Sequence, residues 1–203
     1  MTPDLHLASA SPRRRELLAH LGVAFDVVVG DVDESSIDQS AGAEAYVRAA
    51  ARAKALDVAL RRDGVFLGVD TDVVDPEGNI LGKPGSPAEA TAMLRRLSGR
   101  THHVFSGVAL VETRGGVPVR EAVRLERTAV TFAPLPDAAI AAYVATPEPY
   151  DKAGGYGMQG RAMAFVARID GDPSNVIGLP LWTVAEMLAE FGFRLWDRGD
   201  RPT

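Results

Sequence analysis

Apolar residues along the chain follow two rhythms, one helical and one extended. Tyr46, Ala49, Ala53, Leu56 and Leu60 recur at three-and-four spacing and predict the clearest helix, over residues 43–61. Two more helices open on a serine followed by a proline, residues 12–21 behind Ser11 and residues 87–97 behind Ser86. Serine caps a free N–H at a helix start, and proline suits the first turn. These helices end at Gly22 and at Ser98-Gly99, and residues 136–144 and 181–191 supply two further ones. Compact apolar runs predict strands at residues 5–8, 24–29, 65–74 and 162–169. Residues 104–111 and 122–132 predict an antiparallel pair around Gly115-Gly116, and Ile80-Leu81 follows a tight turn at residues 76–79. Hairpins and crossovers intermix, so the predicted class is α/β with a mixed sheet. No repeat or low-complexity linker divides the 203 residues, which gives a single domain over residues 1–197 and a frayed tail at 198–203.

Composition narrows what such a domain does. A net charge of −5 argues against a general nucleic-acid binder, although it leaves room for a local basic pocket. The chain has no cysteine, which rules out disulfides, thiolate zinc sites and a cysteine nucleophile. No apolar stretch is long enough to span a bilayer, and the first residues lack a signal-peptide pattern. The expected location is therefore the cytoplasm, with no nucleic-acid or membrane partner.

Candidate chemistry gathers in five places. Ser9, Ser11 and the arginines 13–15 sit where a strand turns into a helix. Cations oppose the dipole at a helix start, whereas a bound phosphate would suit both the free N–H groups and the guanidinium forks. A helix cannot aim three consecutive residues at one ligand, so Arg13 comes first and Arg14 second. Asp70 and Asp72 end an apolar strand on one face, with Thr71 on the other. Paired carboxylates suit a divalent cation, or a base that activates water, and Glu34 would join them if the fold brings its acidic loop close. Lys54 lies on the main helix beside Val47, Ala50 and Ala51, where the plainer reading is a snorkelling surface lysine. Lys83 precedes Pro84 in a rigid turn, and Lys152 belongs to the glycine-rich stretch 150–160, which also holds Gln159. That stretch reads equally as a flexible exposed loop or as a ligand cradle. His102 and His103 lack a third metal-ligating partner in the pattern and are read as structural or peripheral. There is no nucleophile elbow, P-loop or dinucleotide fingerprint.

Taken in order, these segments resemble the Maf family of nucleoside triphosphate pyrophosphatases. The resemblance rests on residues 7–18, Ala53-Lys54-Ala55, Asp70-Thr71 and Leu81-Gly82-Lys83-Pro84. It continues through residues 97–102, 106–108, 151–160 and 175–180, so it spans nearly the whole chain. It implies an elongated Maf-like α/β fold related to inosine triphosphate pyrophosphatases, with two lobes around a deep cleft. It implies cleavage of a nucleoside triphosphate between the α- and β-phosphates, a divalent metal (Mg²⁺, Mn²⁺ or Co²⁺), and frequently a homodimer. Asp70-Thr71 and the segment ending at Gln159 are similar to the branch acting on dTTP and UTP. By position, Asp70 is then the proton acceptor, and Arg13, Thr71 and Gln159 are specificity residues. Ser9, Arg14, Glu34, Lys54, Lys83 and Lys152 would line the cleft and bind substrate, while the residue pattern itself offers Glu34, Asp70 and Asp72 as the metal set. Asp72 departs from the family pattern, which has an apolar residue there. Two other readings stay open: a septum-formation regulator that acts by partner binding, and a metal-dependent sugar-nucleotide transferase built on Asp70-Thr-Asp72.

Overall fold

A computed structural model describes residues 4–195. Its centre is strand β3, Gly64–Val74, whose first seven residues are all buried. The short strands β1, Leu5–Leu7, and β2, Asp26–Val27, extend the sheet beside it in parallel. On its other side β3 pairs antiparallel along its whole length with β5, Thr101–Arg114, while β4, Ile80–Leu81, pairs antiparallel with Val73 and Val74 on the edge that β1 leaves free. Strand β6, Val117–Phe132, returns antiparallel along β5, and β7, Val166–Asp170, pairs with the end of β6. The result is one seven-stranded mixed sheet in the order β2-β1-β3-β5-β6-β7, with β4 on β3. This matches the expected α/β class.

Helices cover both faces. Helix α1, Pro12–Ala19, and helix α6, Leu181–Glu190, press Leu17, Leu18, Met187 and Leu188 onto Leu7, Leu67, Val69 and Leu110 of the sheet. Each such side chain contributes about 1.5–3 kcal/mol through burial. On the opposite face, helix α2, Ala43–Ala59, lies against β3 and β5. Its approach is set by Gly68 and Gly107: a Cβ at these positions would stand 2.1 Å from Ala51 O and from Val47 O, respectively. Helices α3, Pro87–Leu97, and α4, Asp137–Val144, close a second cluster with Leu94, Phe132, Tyr143 and Phe165. A short helix α5, Pro173–Ile177, precedes α6.

Several local readings are corrected by packing. The buried stripe of α2 is Tyr46, Val47, Ala50, Ala51, Ala55, Val58 and Ala59, whereas Ala49 is exposed and Leu60, just past the helix, is 59% exposed. The predicted stripe is thus turned by one residue, roughly 100°. Only small side chains fit the glycine seat, so residue size does not mark the inner face. Of the expected strand 24–29, Asp26–Val27 alone pairs. Residues Arg161–Phe165 form a 3₁₀ turn rather than the start of a strand, because Glu148 takes the N–H groups of Arg161 and Ala162. Helix α5 has no apolar period and is held by Asp172, whose carboxylate accepts from Ser174 N. The expected tail at 198–203 lies outside the described residues. Among those residues, no helix is long and apolar enough to cross a membrane.

Candidate active site

Where β3 emerges from the core, its side chains and the glycine-rich segment line a cavity of about 710 Å³. Asp70 and Asp72 face α2, and Thr71 faces α1 and α5, as strand alternation requires. Lys54 reaches in from α2, placing Nζ 2.6 Å from Asp70 Oδ1 and 2.8 Å from Glu34 Oε1. The one-residue turn of α2 makes this possible, since it carries Lys54 towards the sheet rather than into solvent. Glu34 opens a 3₁₀ turn, Glu34–Ser36, fixed by Asp33, which accepts from Ser35 N at 3.0 Å. Asp70 is buried. Burial, together with the charges of Asp70 and Glu34, pushes the Asp72 carboxyl up to about 7. Its Oδ2 is buried and has no hydrogen-bond partner among the described residues. Tyr46 and Gln39 complete this wall.

The two arginines play different parts. Arg14 donates from Nε to Gly178 O at 2.9 Å, from Nη1 to Ser9 Oγ at 3.3 Å and from Nη2 to Thr71 Oγ1 at 3.2 Å. It is therefore a brace between α1, β3 and the end of α5. Ser9 reaches the cavity only through Arg14, and Thr71 is held from behind by Ser106 at 2.8 Å. Arg13 sits at the mouth and donates to Asp151 Oδ2 at 2.9 Å. Burial raises the Asp151 carboxyl, but hydrogen bonds from Arg13 and Lys152 outweigh it and hold the group below the usual carboxylate range.

The glycine-rich segment is held by specific contacts. Gly154 and Gly155 adopt φ of 68° and 67°, and a Cβ on Gly154 would stand 2.9 Å from Val73. Gly154 N donates to Gly82 O at 3.1 Å, which ties the segment to the turn carrying Lys83. Lys152 Nζ donates to Glu148 O at 2.8 Å and contacts Asp151. Lys83 and Gln159 line the cavity exposed, and neither side chain has a partner among the described residues. His102 lies outside the cavity wall: its Nε2 is 2.7 Å from Tyr156 Oη, and burial pushes it down to about 4.

Arg13, Arg14, Glu34, Lys54, Asp70, Thr71, Asp72, Lys83, Lys152 and Gln159 line this one cavity, and Ser9 and Arg15 do not. Gln39, Tyr46 and Glu148 line it too and escaped sequence reasoning. Tyr46 was assigned to core packing, and the other two carry no spacing signal. Glu34, Asp70 and Asp72, the expected metal set, all line the cavity. No group of three or more His, Cys, Asp or Glu among the described residues forms a metal-binding cluster. The Lys54 ammonium contacts both Glu34 and Asp70, so those carboxylates first serve an ion pair. What remains is the unpartnered Asp72 oxygen beside them. That all-oxygen set fits Mg²⁺ or Mn²⁺ bound through one or two carboxylates and shared with substrate phosphates.

Relatives agree in kind. A dTTP/UTP pyrophosphatase from Moorella thermoacetica is 53% identical over 96% of this chain and 98% of its own length. One from Symbiobacterium thermophilum is 50% identical over 97% and 98%, and one from Syntrophus aciditrophicus is 45% identical over 95% and 92%. Among solved structures, a HAM1 protein from Coxiella burnetii superposes with a TM-score of 0.51 at 18% identity, over 93% of this chain and 99% of that one, a likeness of fold alone. A family model described as Maf-like protein matches residues 4–191. This chain belongs to the Maf family.

Proposed function

We propose that this protein hydrolyses dTTP and UTP to the nucleoside monophosphate and pyrophosphate. The observation that carries the reading is the buried Asp70 held by Lys54 at the wall of a cavity whose mouth bears Arg13, Lys83 and Lys152. Relatives at 45–53% identity bear that activity in their names. Neither partner binding nor glycosyl transfer finds support in those names. In this reading the hydrophobic clusters around Leu67 and around Phe132 are two lobes flanking the cleft.

Asp70 takes the proton from a water that attacks the α-phosphorus, with Lys54 fixing the carboxylate's direction. Arg13, Lys83 and Lys152 meet the phosphate oxygens, where fixed cations stabilise charge in a partly dry cavity. Arg13 and Lys152 leave Asp151 to do so. Gln159, with donor and acceptor both free, reads the imide edge of uracil or thymine. Thr71, braced by Arg14 and Ser106, shapes the wall beside it. Asp72 and Glu34 would hold a divalent cation, which supplies charge neutralisation on the triphosphate.

A nucleotide panel tests this reading. UTP, dTTP, CTP, GTP and modified-base triphosphates are assayed for pyrophosphate release with Mg²⁺, Mn²⁺ and Co²⁺. The expected outcome is preferred turnover of UTP and dTTP with no acceptor present. Absence of pyrophosphate from every triphosphate, or dependence on a sugar acceptor, would overturn it.

A further inference from the structure

Among the described residues the Gln159 side chain has no partner to hold it, so its direction is inherited from its backbone. That backbone, residues 157–160, has no helix or strand of its own. It is pinned at both ends by one pair of side chains. Gly157 N donates to Tyr143 Oη at 3.2 Å, before Gln159. Arg161 N donates to Glu148 Oε2 at 3.0 Å, just after it. Tyr143 Oη in turn donates to Glu148 Oε1 at 3.0 Å, which joins the two pins.

The fit around the pins is tight. A Cβ on Gly160 would stand 2.2 Å from Glu148 Oε1, and one on Gly157 would stand 2.5 Å from Lys152 Cε. Both glycines thus let the Glu148 carboxylate and the Lys152 stem lie directly against the segment. Tyr143 is buried on α4 and meets Phe165 edge-on, with ring centroids 5.2 Å apart. Tyr143 therefore stands on a packed helix, and Glu148 opens the 3₁₀ turn that follows it, so both pins sit on secondary structure, which is what a precise site needs from its supports. Glu148 also takes the Lys152 ammonium on its carbonyl, so a phosphate-facing cation and the base-facing amide hang from one residue.

We propose that Tyr143 and Glu148 are positioning residues that set base selectivity by fixing the backbone of Gln159. The inference rests on the reading of Gln159 as the residue that contacts the base. Neither side chain touches the base in this scheme; both act through the peptide groups on either side of Gln159.

The test compares kcat/KM for UTP and CTP in Tyr143→Phe, Glu148→Gln and Gln159→Ala. Tyr143→Phe keeps the ring on Phe165 and removes only the hydroxyl that accepts from Gly157. The UTP-to-CTP ratio should fall roughly tenfold in Tyr143→Phe, chiefly through KM for UTP, the scale expected for a misplaced contact. Glu148→Gln should shift the ratio in the same direction, since an amide NH₂ would face a peptide N–H. The melting temperature of Tyr143→Phe should stay within about 5 °C of wild type. Combined with Gln159→Ala, Tyr143→Phe should lower the ratio no further, because both act on one contact. If Gln159→Ala lowers the ratio while Tyr143→Phe and Glu148→Gln slow both nucleotides equally, the pair is merely structural and the inference is overturned. If Gln159→Ala itself leaves the ratio unchanged, the base-reading role of Gln159 falls, and the inference falls with it.

Discussion

Lys54 Nζ lies 2.6 Å from Asp70 Oδ1, joining the middle of α2 to the emerging end of β3. The contact orients a buried carboxylate in a cavity that Arg13, Lys83 and Lys152 also line. Asp70→Asn preserves shape and removes the base. Its kcat should fall by about 10²–10⁴ with the melting temperature little changed. Near wild-type turnover in a folded Asp70→Asn protein would exclude Asp70 as proton acceptor.

The same contact depends on how closely α2 sits. A Cβ at Gly107 would meet Val47 O at 2.1 Å and Arg48 N at 2.7 Å, both of them backbone atoms that cannot swing aside. Gly107→Ala should cost at least about 1–3 kcal/mol in denaturant unfolding, the usual range for overpacking. Turnover should fall with it as Lys54 moves. An alanine tolerated without loss of either would contradict the close seat of α2.

Adjacent arginines should separate stability from binding. Arg14→Ala removes three hydrogen bonds to Gly178, Ser9 and Thr71 and should destabilise by about 3 kcal/mol. Arg13 makes a half-exposed ion pair with Asp151, so Arg13→Ala should change stability by under about 1 kcal/mol. It should instead raise KM for the triphosphate. Urea titration and steady-state kinetics on the two variants check this division, and reversed effects would refute it.

Stability should fall in mild acid through His102. Its folded value is pushed down to about 4 by burial, against roughly 6.5 in an unfolded chain. The unfolded state binds the proton first, so the contribution is complete above about pH 6.5 and lost as pH falls towards 4. The slope in that window reaches about 1.4 kcal/mol per pH unit. His6, lowered chiefly by burial, adds in the same direction. Unfolding measured at pH 7, 6 and 5 should show a shallower loss in His102→Gln than in wild type; equal slopes would refute the assignment.

What the sequence made legible follows the range of the forces involved. Helices α1 and α3 begin where Ser11 and Ser86 cap them, accepting from Arg14 N and Glu89 N, because capping is local. The 3₁₀ turn at Arg161–Phe165 was missed because its organiser, Glu148, is 13 residues away from Arg161. The face of α2 was missed because alanines against glycines leave no mark of large apolar residues. Asp70, Lys54, Lys83, Lys152 and Gln159 were named from ordered motifs, and they do share one cavity. Their pairings were beyond reach: nothing in spacing says that Arg14 braces Thr71 while Arg13 meets Asp151. Likewise, only the fold reveals the Lys54 ammonium in contact with both Glu34 and Asp70.

Hydrolysis of UTP in ¹⁸O-labelled water, with mass analysis of the products, probes the attack at the α-phosphorus most directly. The predicted result is one labelled oxygen in UMP and unlabelled pyrophosphate. Label in pyrophosphate or in inorganic phosphate, or UDP as product, would contradict it.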